Sequence, residues 1–269
     1  MPSWSPDQYL HFAEERTRPC RELAARIALD APRRIVDLGC GPGNSTEVLA
    51  MRFPGAALTG LDSSPAMIET ARKSAVPAQW ILGDITGFAA EASEPADLIF
   101  SNAAYHWVPD HAGLLPQLMA HLTPGGVLAF QVPANPQAPA HVAARQLAAS
   151  PPWQSRFTGP VHEWAILSPE AYYDILAPLA ARIDLWLTDY FQVMPDVAAI
   201  AEWYKGSGLR PYLDALPDDA ARTGFLADYL TLLTRAVPVR PDGRVLFPFR
   251  RLFVIAYGRQ LRYTSTIFW

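Results

Sequence analysis

Nine residues, Val36-Asp37-Leu38-Gly39-Cys40-Gly41-Pro42-Gly43-Asn44, constrain this chain more than any other stretch. They follow the short apolar run Arg34-Ile35-Val36 and lead into Ser45-Thr46-Glu47-Val48-Leu49-Ala50-Met51, which reads as a helix. A strand, a glycine-rich turn and a helix start, in that order, let backbone approach a ligand closely, because glycine lacks a Cβ and tolerates positive φ. The stretch reads as a nucleotide cradle. In a dinucleotide-binding loop the glycines are spaced G-x-G-x-x-G and the helix N-terminus faces a pyrophosphate. Here the glycines are Gly39, Gly41 and Gly43, and Asp37 stands two residues ahead of the first. A carboxylate at that point repels a pyrophosphate and suits a ligand with a cationic amino-acid end, which disfavours a nicotinamide-dependent oxidoreductase.

The same alternation of strand and helix continues downstream. A first strand over 34–38 and a helix over 44–53 are followed by a strand over 56–61 that ends at Asp62. An acid at the end of the second strand is where such folds hold a ribose through its hydroxyls. Ser64 before Pro65 is a natural N-cap with proline at the first helical position. A third strand over 79–82 leads into Gly83-Asp84-Ile85, and a fourth over 96–100 delivers Ser101-Asn102-Ala103-Ala104-Tyr105-His106-Trp107. Residues just past a strand's carboxyl end face the ligand crevice of an open α/β sheet. A helix over 112–122 and a fifth strand over 127–132 complete four β-then-α units, so the sheet is expected to be mostly parallel with right-handed crossovers. An N-terminal helix is expected over 19–29, helical and proline-broken segments over 135–180 and 196–237, and two further strands near 183–190 and 251–257.

The motif from Asp37 to Gly43 resembles the D-x-G-x-G-x-G loop of class I S-adenosylmethionine-dependent methyltransferases. That resemblance implies an α/β, doubly wound Rossmann-like sheet closed by an antiparallel hairpin strand, with helical inserts forming a substrate cap. It implies S-adenosylmethionine as cofactor and S-adenosylhomocysteine as product. The cofactor-binding residues it implies are Asp37, Gly39, Cys40, Gly41, Asn44, Asp62, Ser63 and Met67, with Asp84 and Ile85 beside the adenine and Asn102 at the methionine end. Segments outside this core extend the likeness. Trp4 through Phe12 with Arg16 and Arg18-Pro19, Trp107 with Pro109-Asp110-His111, Ala171 through Leu176, and Gly208-Leu209-Arg210-Pro211 are similar to the trans-aconitate 2-methyltransferase family. The acceptor this implies is a small tricarboxylate whose methylation gives a monomethyl ester. An acceptor of another small acidic or hydroxylated kind is the alternative, and a non-catalytic cofactor-binding regulator is a third.

A tricarboxylate acceptor demands cations for the acids that are not methylated. The candidates are His11, Arg16, His106, Arg210 and Arg251, with Tyr105 and Trp107 as aromatic walls or core packing. Only Lys73 and Lys205 are lysines among 22 basic residues, and arginine binds carboxylates bidentately. A carboxylate is already ionised near neutral pH, so no general base is required. No Ser/His/Asp set and no HExxH spacing stand out among the six histidines, so no metal is expected.

Composition narrows the remaining classes. Half of the 269 residues are hydrophobic, enough for one large domain: a lid over 1–30, a cofactor core over 31–134, cap inserts over 135–180 and 196–237, and a last strand and tail over 238–269. Net charge is −4 without a Lys/Arg-rich block, which argues against a nucleic-acid partner. Two cysteines, Cys20 and Cys40, make no disulfide framework, and no apolar run reaches the length of a membrane span. The expectation is a cytoplasmic protein, monomeric or weakly homo-oligomeric.

Overall fold

The computed structural model describes residues 13–91, 94–151, 153–157, 161 and 164–260, with side chains described from residue 17 onward. Seven strands form one sheet: β1 (Arg34–Leu38), β2 (Ala57–Asp62), β3 (Ala78–Leu82), β4 (Ala96–Asn102), β5 (Leu122–Pro133), β6 (Ala180–Met194) and β7 (Val245–Gly258). Their order is β3-β2-β1-β4-β5-β7-β6. The first five strands run parallel, with Val36 opposite Thr59 on one side and opposite Ile99 on the other. β7 runs against both neighbours. Gly125 and Ala134, at the two ends of β5, bond to Arg259 and Arg250 respectively, and Asp189 and Trp186 of β6 meet Arg250 and Phe253. That is the expected antiparallel closing hairpin.

The central strands are continuously apolar because both faces are covered. Ile35, Val36, Leu38, Leu98, Ile99, Phe100, Phe130 and Val254 are all fully buried. Each such side chain contributes about 1.5–3 kcal/mol relative to exposure. Asp97 fastens the strand starts. Its carboxylate accepts from the backbone N–H of Arg33 (2.7 Å) and Arg34 (3.1 Å) and from the Thr123 hydroxyl (2.8 Å). Because β1 has β2 on one side and β4 on the other, the chain leaves β1 and β4 in opposite directions, which opens a crevice at their carboxyl ends.

The helices are α1 (Ala13–Arg26), α2 (Asn44–Arg52), α3 (Pro65–Arg72), α4 (Ile85–Glu91), α5 (His111–Ala120), α6 (Pro139–Ala148), α7 (Pro169–Leu176), α8 (Val197–Lys205), α9 (Arg210–Asp214) and α10 (Asp219–Ala236). Side chains cap several of them as the sequence indicates: Ser64, Asp110, Ser168, Asp196 and Asp218 each accept a backbone N–H of the first turn. Other boundaries differ. The N-terminal helix begins by Ala13, not at Pro19, and carries Pro19 inside it. β5 starts at Leu122, absorbing the Thr123-Pro124-Gly125-Gly126 segment expected as a turn, because Gly125 (φ 79°) kinks the strand without ending it. β6 and β7 extend beyond the expected 183–190 and 251–257, and residues 196–237 divide into α8, α9 and α10.

The described chain packs as two compact units. The first comprises 19–132, 165–186 and 252–260, and the second 13–18, 133–164 and 187–251. The segment expected as one cap insert, 135–180, therefore divides: α6 belongs to the second unit and α7 to the first. Residues 1–12, with the expected lid segment around His11, and 261–269, with the aromatic tail, lie outside the described residues.

Candidate active site

Every residue expected to bind cofactor lies in the first unit. After β1 the chain turns through Gly39 (φ 74°), Gly41 (φ 55°) and Gly43 (φ 101°), all in the left-handed region that disfavours a side chain. A Cβ on Gly39 would stand 2.2 Å from the Cβ of Ala104, whereas a Cβ on Gly41 would meet nothing within 4 Å. Gly39 thus lets the loop approach the segment after β4, and Gly41 faces open space where a ligand can lie against backbone. The turn is fastened to β2. The amides of Gly39 (2.8 Å) and Cys40 (3.0 Å) both donate to the carbonyl of Leu61.

Asp62 completes that fastening. One carboxylate oxygen accepts from the Gly41 amide (2.9 Å) and the other from the Ser64 amide (2.9 Å). Burial raises its pKa against the pull of these two bonds. Each oxygen retains a second lone pair, so the geometry leaves the carboxylate able to accept from a diol.

Asp37 is 1% exposed. Its Oδ2 accepts from the hydroxyls of Ser45 (2.6 Å) and Thr46 (2.7 Å) at the start of α2, while the buried Oδ1 has no hydrogen-bond partner. Burial, with the nearby charge of Asp62 adding to it, pushes the carboxyl up to about 6. The Tyr105 hydroxyl is likewise buried without a partner, and burial together with the charge of Asp37 raises its pKa well above the ordinary value. An orphan acceptor and an orphan donor, both sharing the field of one buried carboxylate, are what the amino and carboxylate groups of an amino-acid ligand would complete.

The segment after β4 is built to hold its shape. Asn102 is buried, and its Oδ1 accepts from the Gln131 amide at 2.5 Å, which leaves its own NH₂ as the available donor. Ala103 adopts φ 57°, the one described non-glycine residue in that region, and its amide donates to the Gln131 carbonyl (3.0 Å). A short 3₁₀ turn, Tyr105–Trp107, follows. His111 pins it. Its Nε2–H donates to the Tyr105 carbonyl (2.7 Å), its Nδ1 accepts from the Tyr172 hydroxyl of α7 (2.7 Å), and the Ala165 amide donates to the His106 carbonyl (2.9 Å). Burial lowers the His111 pKa, so the ring is neutral, and with both nitrogens engaged it is not available as a base.

The other expected cofactor residues fall into two groups. Cys40, Met67 and Asn44 are buried or half-buried in the loop and the helices it feeds, and Ile85 approaches the Gly39 position (3.8 Å to its Cδ1). Ser63 and Asp84 are exposed. Asp84 serves as the cap of α4, accepting from the Gly87 amide (2.9 Å) and the Thr86 hydroxyl (2.5 Å), and these bonds lower its pKa. Ser45, Thr46, Gln131 and the Tyr105 hydroxyl were not singled out by the sequence as binding groups. The only signal for them is position: two hydroxyls at the first helical turn after the glycines, and a polar residue inside the apolar run of β5.

The substrate-clamp candidates are distributed over both units. His106 is buried and tilted against Trp107 (4.8 Å between rings) in the first unit. Arg210 and Arg251 belong to the second. Arg210 makes an ion pair with Asp214 one turn along α9 (3.0 Å). Arg251 is 4% exposed with its guanidinium over the Phe249 ring (4.2 Å). His11 and the side chain of Arg16 lie outside the described residues.

A family model described as a methyltransferase domain matches residues 11–175. The chain is 48% identical to a trans-aconitate 2-methyltransferase of Azoarcus sp. strain BH72 over 256 residues, 95% of this chain and 99% of that one. It is 44% identical to a protein of the same name from Yersinia pestis strain Pestoides F, covering 97% of this chain and all of that one. Among solved structures, the YcgJ protein of Bacillus subtilis superposes with a TM-score of 0.59 at 14% identity, over 90% of this chain and 98% of that one. A Haemonchus contortus phosphoethanolamine N-methyltransferase 2, solved with phosphomonomethylethanolamine and S-adenosylhomocysteine, superposes at 0.57 and 14%, over 95% of this chain and 58% of that one. These structural likenesses establish the fold.

Proposed function

The chain belongs to the trans-aconitate 2-methyltransferase family, and on that premise we propose how its residues perform the reaction. The activity is transfer of the methyl group of S-adenosylmethionine to a carboxylate of trans-aconitate. When bound, the cofactor supplies a methyl group on a sulfonium centre, which a carboxylate oxygen of the acceptor takes to give a monomethyl ester and S-adenosylhomocysteine.

The observation that carries the cofactor assignment is the unpartnered Oδ1 of Asp37 beneath the glycine loop. An ionised carboxylate buried there is costly unless a cation meets it, and an α-ammonium is such a cation. Tyr105 and the NH₂ of Asn102 are donors suited to the amino-acid carboxylate, Asp62 to the ribose hydroxyls, and Gly41 leaves its backbone open to close approach. His111 and Tyr172 fix the turn that presents His106 and Trp107. No step requires a base: the acceptor oxygen is already anionic, and His111 is locked by its two hydrogen bonds. The chain's task is to hold the acceptor and cofactor in line and to exclude water.

The remaining expectations belong to the same reading: a cytoplasmic enzyme, monomeric or weakly homo-oligomeric, with no nucleic-acid partner. Among the described residues no helix is long and apolar enough to cross a membrane. The test of carboxylate chemistry is the pH dependence of kcat with both substrates saturating. It should stay flat from about pH 6.5 to 8.5, because the nucleophile is ionised throughout. A tenfold rise per pH unit across that range would require a base and refute the reading.

A further inference from the structure

The run Val127-Leu128-Ala129-Phe130-Gln131-Val132 of β5 is buried throughout and apolar except at Gln131, which has no exposure at all. An amide in that position is out of reach of water and must find its partners inside the protein. The parallel register of β4 and β5 sets Asn102 directly opposite it. The two side chains leave the sheet on one face, and the Gln131 Nε2–H donates to Asn102 Oδ1 at 2.5 Å. Both residues lie in the first unit. They differ in access. Asn102, the last residue of β4, keeps 8% of its surface exposed where the crevice opens, so a ligand can touch Asn102 but not Gln131.

The bond gives the pair a direction. An asparagine amide carries an acceptor on one arm and two donors on the other, and a free one presents either by turning about its last bond. Accepting from Gln131 occupies the oxygen, which leaves the NH₂ of Asn102 as the arm for a ligand.

The same residue holds the backbone that follows. The Gln131 carbonyl accepts from the Ala103 amide (3.0 Å), and Ala103 stands at φ 57°, a conformation that a non-glycine residue keeps only when its surroundings impose it. On the other side the Ser101 hydroxyl donates to the Leu38 carbonyl at the end of β1 (2.8 Å), and Ala104 lies against Gly39 of the glycine loop. Gln131 therefore grips this segment twice, by its side chain at Asn102 and by its backbone at Ala103. Stability alone gives no reason for the side-chain bond, because exchanging both partners of a buried hydrogen bond for apolar groups of similar shape is close to neutral. What the bond adds is orientation.

We infer that Gln131 is a positioning residue for the cofactor: it makes no contact with the ligand and holds the Asn102 amide with its NH₂ turned to the carboxylate of the amino-acid end. The inference rests on the placement of Asn102 at that end and goes beyond it by naming the group that orients it.

The test is a double-mutant cycle in the full chain. It uses Gln131→Met, which keeps the length of the side chain and removes its donor, Asn102→Ala, and the two together. Calorimetry would follow S-adenosylhomocysteine and, beside it, methylthioadenosine, which shares the adenosine and the sulfur but has no amino-acid end. Gln131→Met should raise the dissociation constant of S-adenosylhomocysteine about tenfold, and Asn102→Ala at least as much. The double variant should bind no more weakly than Asn102→Ala alone, because Gln131 acts through Asn102. Methylthioadenosine should bind equally well to all of these proteins. Unchanged S-adenosylhomocysteine affinity in Gln131→Met, an equal loss of both ligands there, or additive losses in the double variant would each overturn the inference and leave Gln131 a structural residue. Unchanged affinity in Asn102→Ala is a separate outcome: it would refute the placement of Asn102, and the role of Gln131 with it. Should Gln131→Met not fold, Gln131→Leu takes its place in the cycle.

Discussion

Replacing Asp37 with asparagine should make the ligand-free protein more stable and the cofactor complex weaker. Asparagine keeps an oxygen to accept from Ser45 and Thr46, so the two short hydrogen bonds at 2.6 and 2.7 Å survive. What it removes is a charge in a site 1% exposed. Moving a carboxyl from its ordinary 3.8 to about 6 corresponds to roughly 3 kcal/mol against the ionised folded state. The sign follows from proton binding. A folded-state pKa above the unfolded one means that the folded protein binds the extra proton, so the destabilisation is absent below pH 3.8, grows as pH rises, and is complete above about 6. At pH 7.5 the variant should therefore gain about 1–3 kcal/mol, the lower figure allowing for the orphan amide donor placed where Oδ1 stood. In a chain of this size each kcal/mol moves the melting temperature by roughly 2–4 °C. At pH 4.5 the difference should shrink to about a third. Acid effects at other titratable groups are common to both proteins and cancel in the comparison. Calorimetric titration with S-adenosylhomocysteine should meanwhile show the dissociation constant rising by at least about 30-fold, the worth of one buried charge pair at about 2 kcal/mol. A variant less stable at pH 7.5, or a difference independent of pH, would refute the reasoning about burial. An unchanged dissociation constant would remove Asp37 from the cofactor site.

The other variants probe separate parts of the same unit. Gly41→Ala puts a Cβ at φ 55° into open space, so it should cost only about 1 kcal/mol in a urea titration yet weaken S-adenosylhomocysteine binding more than tenfold. Gly39→Ala, which would set two Cβ atoms 2.2 Å apart, should instead lower stability by several kcal/mol in the same titration. Asp62→Ala frees the amides of Gly41 and Ser64 and should weaken S-adenosylhomocysteine by about 1–3 kcal/mol in calorimetry, and equal affinity would exclude the ribose assignment. Tyr172→Phe leaves Nδ1 of His111 buried and unpaired; it should lower stability by about 1–3 kcal/mol and reduce kcat more than it changes cofactor affinity, measured by thermal melting and steady-state kinetics.

The sheet was legible because its strands are apolar runs closed by turn residues, and the loop because its acid and three glycines stand in fixed spacing after one of them. Asp37, Asp62 and Gly41 sit where that spacing put them. The end-points of β5, β6 and β7 were not legible: a glycine or proline inside a long strand looks like a stop until a neighbouring strand supplies the pairing that carries the chain through it. Asp84 shows a different limit. An acid just ahead of a helix can cap it, contact a ligand or do both, and only the fold reveals that Gly87 and Thr86 engage it. Arg210 carries a charge suited to an acid, and its ion pair with Asp214, four residues on, is a feature of the fold that the sequence does not announce.

The central claim is methyl-ester formation on trans-aconitate, and turnover with methyl-labelled S-adenosylmethionine tests it most directly. Trans-aconitate, cis-aconitate, citrate and isocitrate would be offered in parallel, with base-labile radioactive product as the readout. The account requires strong preference for trans-aconitate and one methyl group per product molecule. No ester from any of the four, from protein that binds S-adenosylhomocysteine tightly, would contradict it.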